Sequence, residues 1–364
     1  MTPATPERER TAYDSTLCVI MEKGQPPIPP AWSLPNELLV YIFSFIFWSP
    51  NVLAMAARVC RRWLPAATQV LYSWLFIDST DEASKLAQTM WDCPKLRALV
   101  RRLDVHVDSE SLLGWIGLIP AEPGVHALGL WTRADRCAVA SVLYRAPALH
   151  TVRELHLNGP RSLSIINVPH RLERLGLDNV GDFTLPALPH LRSLFISSCT
   201  HVIIPAISRF DQLRTVELSQ LTPAHACEIL DKLHAIHALI DTLTLSHLSI
   251  HTNPPQSLAD SVQLFASTGL RVLRIGLPLA AQLSSFGTVE ELHIDTDLFL
   301  HRVTSEFRAL RTAVAGSGSN LKMVRLQHLD ESEYGYVREC VGDMGVRVEV
   351  VDVYGRCQEA IFST

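Results

Sequence analysis

Leu172-Glu173-Arg174-Leu175-Gly176-Leu177, answered at Leu191 by Leu191-Arg192-Ser193-Leu194-Phe195-Ile196, sets the organisation of this chain. The same apolar-x-x-apolar-x-apolar spacing returns at Val100/Leu103/Val105, Val125/Leu128/Leu130, Val152/Leu155/Leu157 and Leu213/Val216/Leu218. It returns again at Ile240/Leu243/Leu245, Leu270/Leu273/Ile275, Val289/Leu292/Ile294 and Leu321/Val324/Leu326. Successive copies start 19 to 32 residues apart. The last two apolar positions stand two residues apart, so they share one face of a short strand while the residues between and beside them face the other way. A unit repeated at that period cannot bury its apolar face alone and must stack on its neighbours.

Strands stacked in chain order form a parallel sheet along the inside of a curved solenoid, and each connection has to return over the outside. Several connections read as helices: 81–91, 109–119, 134–144, 223–239, 258–266 and 299–314. Thr222-Pro223 is a helix start and Gly316 a stop. The short gap between Leu172 and Leu191 leaves room only for a turn. The last strand is expected at Val346-Arg347-Val348-Glu349-Val350-Val351, in a capping position. The pattern resembles the leucine-rich repeat in an irregular form. The asparagine or cysteine that the family places eight positions after the first leucine occurs once, as Cys199, and Leu221, Leu248 and Leu329 stand there in other copies.

Ahead of the repeats, Leu34-Pro35-Asn36-Glu37-Leu38-Leu39-Val40-Tyr41-Ile42-Phe43 opens a helix. Proline needs no N–H in a first turn, and Glu37 meets the positive end of the helix dipole. Leu38, Ile42, Phe45 and Ile46 form one apolar row and Leu39 and Phe43 a second, so the helix needs partners on two sides. Ser49-Pro50-Asn51 breaks the run. A second helix follows with Leu53, Ala56, Cys60 and Trp63 on its apolar side and Arg58, Arg61 and Arg62 on its solvated side.

This opening, the Ile42-Phe43 pair and the closing Val59-Cys60-Arg61-Arg62-Trp63 resemble the F-box, which docks on a Skp-type adaptor and so joins a cullin-RING ubiquitin ligase. The resemblance implies an adaptor-binding surface of Leu34, Pro35, Glu37, Leu38, Ile42, Val59 and Trp63. The expected fold is α/β: a leader over 1–30, a helical module over 31–76, and an irregular leucine-rich-repeat solenoid over 77–364.

Composition sets the outer bounds. The chain has 364 residues, 48% hydrophobic and 19% charged, which is globular rather than disordered. A net charge of -5 offers no basic field for nucleic acid or an anionic membrane. The eight cysteines stand singly, without Cys-x-x-Cys or zinc-finger spacing, as reduced thiols do in a cytoplasmic or nuclear protein. The longest apolar run, 38–48, is too short to span a bilayer.

No residue pattern points to catalysis, to a cofactor or to a metal. His234 and His237 lie at a helical i, i+3 step without the carboxylate of a metalloprotease motif. Glu291, His293 and Asp295 alternate along one strand face. Gly316-Ser317-Gly318-Ser319-Asn320 follows a helix and precedes a strand, the reverse of a phosphate cradle. The sheet face offers a protein-binding surface instead, with Glu154, His156, Arg174, Asp178, Phe195, Glu217, Arg274, Glu291, His293 and Arg325 as candidate contacts and Phe195 as the aromatic anchor. The expected function is therefore that of a non-catalytic receptor: module on the adaptor, repeats on an unknown target protein. The alternative is an adaptor-bound scaffold or protein-binding module without a role in ubiquitin transfer.

Overall fold

The computed structural model describes residues 34–106, 114–131, 146–159, 169, 171–206, 209–248, 254–296, 303–317, 320–329, 346–352 and 357–360. The chain divides into two compact units between Thr68 and Gln69.

In the first unit, α1 (Asn36–Ser44) starts one residue after Pro35, whose carbonyl accepts from the Leu39 N–H at 3.1 Å. Residues Phe45 to Trp48 turn, and α2 (Pro50–Val59) follows. Pro50 therefore opens the second helix rather than merely interrupting the chain. That helix also ends sooner than expected: Cys60 is extended, and Trp63 begins α3 (Trp63–Ser73). Of the two apolar rows on α1, Leu39 and Phe43 are buried, as are Leu53 and Ala56 of α2. Phe43 meets Trp63 edge to face at 5.5 Å, and the Arg62 guanidinium donates to the Leu34 carbonyl at 3.0 Å.

The second unit is built on a 13-stranded sheet. Its strands are β1 (Trp74–Ile77), β2 (Arg102–Val105), β3 (Ala127–Trp131), β4 (Glu154–Asn158), β5 (Arg174–Asp178), β7 (Ser193–Ser197), β9 (Thr215–Ser219) and β10 (Thr242–Ser246), followed by β11 (Val272–Gly276), β12 (Glu291–Asp295), β13 (Met323–Leu329), β14 (Arg347–Asp352) and β15 (Cys357–Ala360). They lie in chain order in an open, mostly parallel sheet, and only β14 and β15 pair antiparallel. The expected last strand thus has another beyond it. Two short strands, β6 (Asp182–Thr184) and β8 (His201–Ile203), pair in a separate sheet, so the gap after β5 holds a strand where only a turn was expected.

Parallel neighbours require crossovers, and the longer ones are helical. They include α4 (Thr80–Asp92), α5 (Pro94–Arg97), α6 (Pro223–Ala235), α7 (Gln256–Thr268), α8 (Leu277–Ala280) and α9 (Val303–Ala315). Ser79 caps α4 by accepting from the Glu82 N–H, and Thr222 caps α6 by accepting from the His225 N–H. The helix expected over 109–119 is a 3-10 turn at Gly114–Leu118 in its described part, and the one expected over 134–144 lies outside the described residues.

Every member of the ten hexads is buried. Register is shared: Leu103, Leu128, Leu155, Leu175, Leu194, Val216, Leu243, Leu273, Leu292, Val324 and Val348 pair in sequence across the sheet. Two backbone ladders hold that register. On the entry side, one carbonyl accepts two N–H groups from the next repeat: Arg153 from Glu173 and Arg174, Glu173 from Arg192 and Ser193, Arg192 from Arg214 and Thr215. The same step continues through Arg214, Asp241, Arg271 and Glu290.

On the exit side, the residue after the strand turns left-handed: Gly159, Asn179, Ser198, Gln220 and His247, with φ of 92°, 52°, 52°, 52° and 48°. Its N–H reaches the last carbonyl of the next strand, as Gly159 to Asp178 at 3.0 Å and Asn179 to Ser197 at 2.9 Å. Cys199 works at the same corner. Its buried thiol donates to the Ser197 and Leu177 carbonyls, at 3.2 and 3.6 Å, and burial pushes its pKa up to about 11.

Two substitutions check this architecture. Leu194→Ala should lower the unfolding free energy by about 2–5 kcal/mol in chemical denaturation, through loss of buried contact and an unfilled cavity. Gly159→Ala should cost about 1–2 kcal/mol, because the left-handed backbone tolerates no Cβ there without strain, and Gly159→Asn should cost less.

Candidate functional site

Two surfaces stand apart from the core. The first lies on α1 and α2 and is apolar. Leu38 and Ile42 on α1 and Phe45 just after its end form an exposed row at 48%, 47% and 55% exposure, beside Tyr41. Phe47 and Trp48 in the turn and Val52, Met55 and Val59 on α2 are exposed as well, and Trp48 and Met55 are the most open of these. Isolated exposed apolar residues are ordinary, but nine large ones within two short helices and their connecting turn are not. Of the residues implied in adaptor binding, Pro35, Glu37, Leu38, Ile42 and Val59 are exposed, whereas Leu34 and Trp63 are half-buried. Trp63 is committed in part to Phe43, and its indole N–H is buried without a hydrogen-bond partner.

The second surface is the outward face of the sheet in the second unit. Register brings Glu154, Arg174 and Ser193 into one row and His156, Gly176, Phe195 and Glu217 into the next. Further along, the second row continues through Arg274, His293, Arg325 and Glu349. All ten candidate contacts therefore lie on this side of the sheet, spread over seven strands rather than gathered at one point. Arg174 pairs with Glu154 at 2.9 Å, Arg102 with Asp104 at 2.9 Å, and Arg325 with Glu349 through its Nε at 2.9 Å.

Phe195 is not a solitary aromatic. Rings follow one another across the strands, Phe76 to His106 at 4.7 Å, His106 to Trp131 at 4.4 Å and stacked nearly parallel, Trp131 to His156 at 5.3 Å, and His156 to Phe195 at 6.2 Å. Glycines make the room. A Cβ at Gly129 would lie 2.1 Å from the Trp131 ring, and one at Gly176 would lie 2.3 Å from His156 Nδ1. At the start of the row, the Arg102 guanidinium sits 4.4 Å above the Trp74 ring, whose N–H donates to the buried Asp104. The hexad beginning at Val125 places Gly129 on this face by the same offset that places Phe195 there, and Trp131 on it two residues further on, and that signal extends the face beyond Glu154.

His293 departs from the expected solvated row. It is 3% exposed, with both ring nitrogens unpartnered, and Glu291 stands 3.6 Å from Nε2, beyond hydrogen-bond reach. Burial, then the Arg274 and Arg325 charges on the adjacent strands, hold its pKa below the ordinary imidazole value. His156 is shifted down by burial as well. The other candidates disperse. His237 lies beyond the end of α6 with a left-handed backbone, so it does not share a helical face with His234. Instead, both line a cavity of about 370 Å³ with Arg214, Asp241 and Phe265. Among the described residues, no three His, Cys, Asp or Glu side chains are grouped so as to hold a metal ion, and no helix is long and apolar enough to cross a membrane.

Comparison with known families places an F-box-like domain at residues 31–78. That range covers α1, α2, α3 and β1, and so includes all of the apolar surface on α1 and α2. No curated protein matches the chain.

The buried imidazole gives a pH prediction. A histidine whose folded pKa lies below its unfolded value contributes stability that is fully present above about pH 6.5 and is lost as pH falls through the folded value. Thermal melts from about pH 7.5 to about pH 5.5 should show a falling midpoint, with a smaller fall in His293→Gln.

Proposed function

We propose that this protein is a substrate-recruiting subunit of a Skp-cullin-F-box ubiquitin ligase. The observation that carries the reading is the uncovered apolar surface of α1 and α2 within the residues that match the F-box-like family. Large apolar side chains at that density lower the free energy of the chain when a second protein takes them out of water, by about 25 cal/mol per Å² of apolar area. A Skp-type adaptor is the partner that the family resemblance implies, and a cullin-RING assembly is reached through it.

In this reading the second unit is an irregular leucine-rich-repeat domain and holds the target protein. Support comes from the ten buried hexads, their shared parallel register, and the repeated left-handed turn after the strands. The outward sheet face supplies hydrogen-bonding groups of both charge signs beside a row of aromatic rings. The chain makes and breaks no bond itself. Its contribution to ubiquitin transfer is proximity, because a target held near a charged conjugating enzyme reacts as though the step were intramolecular.

Ile42→Asp combined with Val59→Asp tests the assignment. Both positions are exposed in the chain alone, so its melting midpoint should stay within about 2 °C, while binding of a purified Skp-type adaptor should weaken by more than about a hundredfold. Adaptor retention at the wild-type level would contradict the reading.

A further inference from the structure

The cavity that takes in His234 and His237 lies where α6 and α7 end and the chain enters β10. Its volume of about 370 Å³ falls among those of small-molecule sites, about 300–1,000 Å³. Phe265, Ile240 and Leu239 give it apolar walls, the first two buried and the last exposed to solvent. Which ligand it suits is decided by which of its hydrogen-bonding groups are already used. Several main-chain acceptors are engaged: the His234 carbonyl by the His237 N–H at 2.9 Å, the Phe265 carbonyl by the Leu270 N–H at 3.4 Å, and the Leu239 carbonyl by Arg214 Nη1 at 2.9 Å. The side-chain donors are not. Among the described residues the His234 and His237 imidazoles have no hydrogen-bond partner, and Asp241 stands 3.6 Å from Arg214 Nε, beyond hydrogen-bond reach. One carboxylate thus shares the cavity with a guanidinium and two imidazoles.

The backbone adds an independent observation. His237 is left-handed, with φ of 55°, in a helix-ending turn in which the Ala238 N–H donates to the Leu233 carbonyl at 3.1 Å. Glycine favours that position, and Gly269, with φ of 135°, follows α7. Histidine holds the turn under more strain than glycine would, and what it adds is a second imidazole in the cavity.

We propose that this cavity binds a small carboxylic acid with an apolar body. Its carboxylate lies among Arg214, His234 and His237, and its body against Phe265 and Leu239. The guanidinium makes charge-assisted hydrogen bonds to the carboxylate, and an imidazole donates to it whether neutral or protonated. Asp241 offsets Arg214 in part, so selection of the anion draws on the imidazoles as well. A neutral amide would lack the charge, and an amine would be repelled by Arg214 and find no use for the imidazole N–H groups. This inference does not depend on the receptor reading.

Ligand-observed NMR on the full-length chain tests it, with hexanoate, benzoate and 3-phenylpropanoate, each beside its primary amide, and with 3-phenylpropylamine. At least one acid should bind with a Kd of about 1–10 mM, and its amide about fivefold more weakly. The amine should not bind. His237→Gly should weaken the acid by about fivefold while its melting midpoint stays within about 2 °C of the wild type's or above it, a combination that a purely structural histidine would not give. Arg214→Gln should remove the preference for acid over amide. Thr244→Ala, on β10 and outside the cavity, should bind as the wild type does. Equal binding of acid and amide, acid binding undiminished in both His237→Gly and Arg214→Gln, or no acid bound at about 10 mM would each overturn the proposal.

Discussion

The structure of the second unit depends on one backbone arrangement, a carbonyl before most of the parallel strands that accepts two N–H groups from the start of the next repeat. Because this contact joins main-chain atoms, it is indifferent to the side chains it aligns, and it forces successive repeats into a single register. With register shared, the hexad leucines stack into a continuous core and the residues between them line up as rows on the opposite face. The side chains at the carbonyl itself add to the ladder: Arg153 with Glu173 at 3.6 Å, Arg214 with Asp241 at 3.6 Å, and Glu290 with both Arg271 and Lys322. The Glu290 carboxyl titrates below its ordinary range because it accepts from Lys322 and Arg271, yet exposed pairs of this kind contribute little stability compared with the buried leucines.

The two surfaces follow different physics. On α1 and α2 the exposed groups are apolar, so association removes them from water with little directional demand, and the helices need only hold their shape. On the sheet the exposed groups are polar, charged and aromatic, so the strands must hold each side chain at a fixed offset from its neighbours for any of them to act together. Parallel strands meet that demand, since a row of side chains on adjacent strands recurs at about 4.8 Å. Asp104 shows the cost of the arrangement and how it is offset. It is buried, and its charge is compensated by Arg102 and by the Trp74 N–H.

Much of this was legible without coordinates. The hexads predicted the strands, their inward residues and their order, because a two-residue alternation has only one way to bury its leucines. Thr222 and Pro223 marked the start of α6 for equally local reasons. The helical module was legible as well, except that Cys60 and Trp63 were assigned to α2 although they lie beyond its end: periodicity reports which residues are apolar, not where a short helix yields to a turn. β6, β8 and β15 were missed because three or four residues are too few to show a period. The aromatic row was missed for another reason. Gly129 and Gly176 carry no side chain to be noticed, and their role is to leave space for Trp131 and His156.

What the sequence determined by itself is therefore the repeat, its buried positions and the surplus of apolar side chains in the first unit, since each follows from spacing along the chain. Only the tertiary structure decided which of those apolar residues stay uncovered, that His293 is buried between two arginines, and that Phe195 ends a file of rings. Those are relations between residues some 20 or more positions apart in the chain, and they come into being only when hydrogen bonds bring neighbouring strands to a common register.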